Sequence, residues 1–199
     1  MQIEMRKRIA NLTSNILNPF LVSLVIILLL AFESTSSTLD AAKWTLILLA
    51  VSILPVFLVV VYLARVGRLD GIFTSARGQR TGLFLLAGAC TSMGCIILVC
   101  CGAPLILTAT LVAGLSAVVI FMGINLWWKI SLHTAFITAL VTVLVILYGW
   151  IAVSTIGLVP LMSWARLESK QHSLAQVAAG ALLAALILVV VFYPFGLLG

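Results

Sequence analysis

Three short polar clusters carry nearly all the residues of this chain that could do chemistry: Arg77-Gly-Gln-Arg80, Lys129-Ile-Ser-Leu-His133 and Arg166-Leu-Glu-Ser-Lys-Gln-His172. Both histidines lie in them, and so does every cation beyond Arg68. A guanidinium presents a planar fork of donors that fits phosphate oxygens two at a time, and an ammonium adds a point charge. Arg80 and Arg166 are therefore the candidate phosphate clamps, with Arg77, Lys129 and the Ser131 hydroxyl in support. Taken singly, each residue has a plainer reading. Arg166 and Lys170 would serve as anchors reaching for the headgroups, and a lone histidine at a helix start is commonly structural. The combination and its spacing favour a site.

What positions these clusters is a membrane. Of 199 residues, 64% are hydrophobic and 8% charged, against about 25% charged in a soluble domain. A chain this apolar has no polar surface to offer water. The apolar runs are continuous rather than alternating, which selects helices over a closed barrel. The expected class is all-α, a polytopic transmembrane bundle of about six to seven helices, with residues 1–199 as a single membrane-embedded domain.

The expected spans are 19–32, 44–64 with Pro55 as a kink, 82–101, 104–127, 133–153, 154–165 and 174–198. The uncharged stretch from Gly82 to Trp128 is too long for one span, and Gly102-Ala103-Pro104 is its natural turn. Residues 133–165 must hold two limbs of about 16 residues, roughly 25 Å each at 1.5 Å per residue. That is slightly short of the ~30 Å hydrocarbon core. A helical hairpin turning near Ser154 is expected there. The N-terminal MQIEMRKR and its apolar run lack a small-x-small cleavage site and read as a retained anchor.

If every span crosses, the N-terminus and the loops at 65–81, 128–132 and 166–173 share one side. Ten of the eleven Lys and Arg residues then lie there, with only Lys43 opposite. The positive-inside bias makes that side cytoplasmic. The net charge of +6 thus reflects topology, and no nucleic-acid partner is implied. Cys90, Cys95, Cys100 and Cys101 fall in one apolar run and read as packing residues. Asp70 and Glu168, the acids of this face, read as solvated loop charges. Trp127 and Trp128 read as an interfacial belt.

Arg166-x5-His172, followed by Val177-Ala-Ala-Gly180, resembles the third motif of the type 2 phosphatidic acid phosphatase superfamily. These are lipid phosphate phosphatases sharing a core with vanadium haloperoxidases. Ile130-Ser131-Leu132-His133 looks like the second motif, P-S-G-H, and Arg77-Gly-Gln-Arg80-Thr81 weakly matches the first, K-x6-R-P. The resemblance covers about 77–180 in the family's order. It implies that His172 is a nucleophile forming a phosphohistidine, and that His133 is the acid protonating the leaving alcohol. It implies no metal or other cofactor.

The chain departs from the family at three places. Gln176 stands where the family has the aspartate that orients the nucleophile. A glutamine carbonyl accepts the Nδ1–H but cannot balance an imidazolium as a carboxylate does. The first-motif lysine is absent, its place falling on Phe73, and the prolines of both early motifs are missing. A divergent branch with K-I-S-x-H and a glutamine after the third-motif histidine is the nearest pattern.

The expected function is hydrolysis of a membrane lipid phosphate or diphosphate at the cytoplasmic face. Isoprenoid phosphates, phosphatidic acid and phosphatidylglycerol phosphate all suit a site whose substrate tail lies in the bilayer. Two rivals stay open. A small anion or lipid transporter would place its cations at half-helices in mid-membrane, and an inactive lipid-binding homologue would bind without turnover.

Overall fold

A computed structural model describes residues 2–69 and 77–198, except for the Arg77 side chain. Asp70 and Phe73 fall outside the described residues. Every regular element among them is helical, so the chain is an all-α polytopic membrane protein. Five helical stretches are long and apolar enough to cross a bilayer, or six if one bent pair forms a single span. The chain divides into two compact units, residues 1–26 with 129–199, and residues 27–128.

The bent pair is α1 (Gln2–Ile16) and α2 (Pro19–Ser34), which meet at 42°. The Asn18 side chain makes the corner, its Oδ1 accepting from the backbone N of Phe20 and of Leu21, each at 3.0 Å. Pro19 sits where the helix has no use for its missing N–H.

In the second unit, α3 (Thr38–Leu48) continues through a π turn at Leu49–Ile53 into α4 (Leu54–Arg65). Pro55 lies just beyond that π turn. Its ring would press on the carbonyl four residues back, and the wider π turn lets the helix carry on. This helix begins at Thr38, capped by Ser37, within the stretch read as loop. Next come α5 (Arg77–Cys100) and α6 (Leu105–Asn125), packed against each other. Cys90 and Cys95 are half-buried on α5, whereas Cys100 and Cys101 are exposed. The last two are therefore not the packing residues expected.

The first unit holds α7 (Leu132–Tyr148), a 3-10 helix at Gly149–Gly157, α8 (Leu158–Glu168) and α9 (Leu174–Phe192). The 37-residue run from Leu132 to Glu168 doubles back, because α8 and the 3-10 segment both pack against α7. The break falls at Gly149, φ 56° and ψ −129°, rather than near Ser154. Trp150 and Ile151, at 86% and 85% exposure, form the tip.

The 3-10 winding lengthens the return limb of the hairpin and not the limb formed by α7. Nine residues at about 2.0 Å rise and the eleven of α8 at about 1.5 Å give a return limb of about 34 Å. The 17 residues of α7 rise only about 25 Å.

Candidate active site

The N-termini of α7 and α9 stand side by side. The backbone N–H of Ser131 donates to the carbonyl oxygen of Gln176 at 3.3 Å. The two helices pack along their lengths, so they run parallel and α8 returns to the end where both begin. Tyr148, Trp150 and Tyr193 consequently lie at the opposite end of this unit. Lys129, Ser131, His133, Arg166, His172 and Gln176 all belong to the shared end. Arg80 is a buried residue of α5 in the other unit, and the backbone of Arg77 begins the same helix.

Ser131 caps α7. Its hydroxyl bonds that of Thr134 at 2.9 Å and lies 3.5 Å from the Thr134 N–H. Both residues are fully buried. The hydroxyl expected on a phosphate oxygen is thus occupied in starting the helix that carries His133. His133 follows on the same first turn, 4% exposed.

Ser173 caps α9 through a capping box with Gln176, whose Oε1 accepts from the Ser173 N–H at 3.2 Å. The same Oε1 lies 3.1 Å from Nδ1 of His172. Because a backbone N–H can only donate, this atom of the amide must be the oxygen, which settles an orientation otherwise open to inversion. The neutral imidazole therefore carries its proton on Nδ1. Its lone pair is on Nε2, the nitrogen a nucleophile needs.

Arg166 lies in the last turn of α8, 6% exposed. The turn after it is closed by Gln171 N to Arg166 O at 3.2 Å and Lys170 N to Leu167 O at 2.9 Å. This Schellman pairing needs a residue in the left-handed region, usually glycine. The same pairing ends α4 at Gly67, α5 at Gly102 and α9 at Gly196, but here the position is held by Lys170, φ 53°. Lys129 Nζ donates to the Gln171 carbonyl at 2.9 Å, tying the 129–133 segment to this turn. Glu168 is not a solvated charge: Arg6 reaches it at 3.1 Å, and Ser169 Oγ donates to Asn11 Oδ1 at 3.1 Å.

The electrostatics of this end favour a multiply charged oxyanion. Two helix N-termini, each carrying about half a positive charge, sit with Lys129, Arg166 and Lys170 and outweigh the half negative charge at the C-terminus of α8, which ends there too. The one acid in these segments, Glu168, is offset by Arg6. Among the described residues no three His, Cys, Asp or Glu side chains gather to hold a metal.

Sequence reasoning missed the roles of Arg6, Ser173 and the Gln171 carbonyl. Ser173, three residues before Gln176 and just ahead of an apolar run, carried the capping-box signal. The Arg6–Glu168 pair spans most of the chain and left no local trace. No family model, curated protein or solved structure matches this chain.

Proposed function

We propose that this chain is a membrane phosphatase of the type 2 phosphatidic acid phosphatase kind, in a divergent branch. It hydrolyses a lipid phosphate or diphosphate through a phosphohistidine. The observation that carries the reading is the shared Gln176 oxygen. It accepts from the Ser173 N–H and from His172 Nδ1–H, which supports Nε2 of His172, the nitrogen with the lone pair, as the nucleophile.

In the first step Nε2 of His172 attacks phosphorus, and the bond from phosphorus to the lipid oxygen breaks. Protonated His133 gives its proton to that oxygen, and the lipid alcohol leaves, or the lipid monophosphate where the substrate is a diphosphate. Arg166 holds the phosphoryl oxygens, with Lys129 as a further cation, and Ser131 holds the turn beneath His133. Water then attacks the phosphohistidine, passing a proton to His133, and the N–P bond breaks to release inorganic phosphate. Covalent catalysis splits one hard step into two, and positioning with electrostatics supplies most of the rest.

Isoprenoid phosphates, phosphatidic acid and phosphatidylglycerol phosphate are the substrate classes, with the tail entering from the bilayer. The basic end faces the cytoplasm, a reading supported by the positive-inside bias. Cysteine at Gln171 should then label with an impermeant reagent from the cytoplasmic side only, and cysteine at Trp150 from the other side only.

The deciding experiment measures phosphate release by purified protein from a panel of these lipids with EDTA present. Release that survives EDTA is expected. Tight lipid-phosphate binding without release would support the non-catalytic homologue instead.

A further inference from the structure

His133 sits on the first turn of α7 and His172 just ahead of the Ser173 cap of α9, and an unbroken path of bonds joins the two parallel helix starts. His172 Nδ1–H meets Oε1 of Gln176 at 3.1 Å, and the Gln176 carbonyl accepts from Ser131 N–H at 3.3 Å. Ser131 caps α7, and His133 follows two residues on. One turn along α9, on the same face as Gln176, lies Gly180. A Cβ built there would stand 2.6 Å from the Ser131 carbonyl oxygen, 3.5 Å from its carbon and 3.6 Å from its nitrogen. Residue 131 thus rests its backbone across Gln176 and Gly180, with no room for a methyl group.

The obstruction is backbone, which no side-chain rotation can clear. The same carbonyl accepts the first hydrogen bond of α7, from Ala135 N at 3.1 Å. Moving it moves the turn that carries His133. We infer that Gly180 is a positioning residue, setting the spacing of the proton donor His133 from the nucleophile His172. This inference rests on the phosphatase reading above.

The consequence is a leaving-group effect. Departure of an alkyl lipid alcohol needs His133 to protonate the oxygen, whereas p-nitrophenolate leaves as the anion. General acid catalysis contributes about 10²–10⁴-fold, and a displaced acid forfeits part of that only where it is needed. Gly180→Ala should lower kcat/KM, which reports the step that expels the leaving group, at least about tenfold more for an alkyl lipid phosphate than for p-nitrophenyl phosphate. Gly94→Ala is the control. A Cβ there meets only the Leu111 Cδ1 and Ser52 Oγ side-chain tips within 3 Å, so the ratio of the two rates should stay at the parent value.

Equal loss on both substrates, or no loss, would overturn the inference by reducing Gly180 to a packing position. If Gly180→Ala does not fold, the parent carries the test through hydrogen exchange. The Ser131 amide should be as protected as the interior of α9, and rapid exchange there would overturn the clasp. A parent protein that hydrolyses neither substrate would instead sink the phosphatase reading, while the Ser131 amide would still report on the clasp.

Discussion

Oε1 of Gln176 lies 3.1 Å from His172 Nδ1 and 3.2 Å from the Ser173 backbone nitrogen, so one carbonyl oxygen both caps α9 and aims the imidazole. Gln176→Glu keeps that reach and adds the charge that would balance an imidazolium. It should hold or raise kcat. Gln176→Leu removes both hydrogen bonds and should lower kcat, with about 1 kcal/mol of stability lost with the cap. Steady-state kinetics alongside thermal unfolding separate the two effects. A leucine variant as active as the parent would show that this position orients nothing.

Ser131→Ala should act on stability and not on substrate affinity. Its hydroxyl is buried against Thr134, and loss of a serine cap costs about 0.5–2 kcal/mol. KM for the lipid phosphate should stay near the parent value while Tm falls. A large rise in KM at unchanged Tm would return the hydroxyl to the phosphate.

Lys170 holds a left-handed position that three other helix ends of this chain give to glycine. That conformation costs a residue with a Cβ about 1 kcal/mol. Lys170→Gly should therefore raise stability by about that amount and, by removing a cation from the site end, raise KM. If Tm falls instead, the lysine side chain is contributing more than its backbone costs.

Arg6→Ala leaves the Glu168 charge exposed to the site. The pair is partly solvent-accessible, 60% at Arg6 and 19% at Glu168, so its stability contribution is small, about 0–1 kcal/mol. The larger expected effect is a higher KM, most evident at low salt where screening is weakest. Glu168→Gln should shift KM the other way. Identical KM values for both variants across a salt series would show that Glu168 does not act on the substrate.

Much of this arrangement was readable before any coordinates. Continuous apolar runs between charged turns located the spans, and the length of 133–165 demanded a hairpin. What escaped has physical causes. The hairpin breaks at Gly149 because a left-handed glycine and a 3-10 limb use backbone freedom that hydropathy does not record. The helix at α1 carries four charges, Glu4, Arg6, Lys7 and Arg8, and is packed against α8, a tertiary contact. Lys170 gave no hint of its conformation, since lysine has no preference for that region. Gln176 as an acceptor for His172 came from the family resemblance, in which it stands at the place of the orienting aspartate. The capping role of Ser131 was missed although a serine ahead of an apolar run signals a helix cap.

The central claim is that Nε2 of His172 takes the phosphoryl group. The direct measurement is acid-free quenching of the enzyme with a 32P-labelled lipid phosphate, followed by peptide mapping. The account expects an acid-labile, alkali-stable label on His172, absent from His172→Ala in protein that remains folded and membrane-inserted. Phosphate release by a monodisperse His172→Ala protein at the parent rate, or a label mapping to another residue, would contradict it.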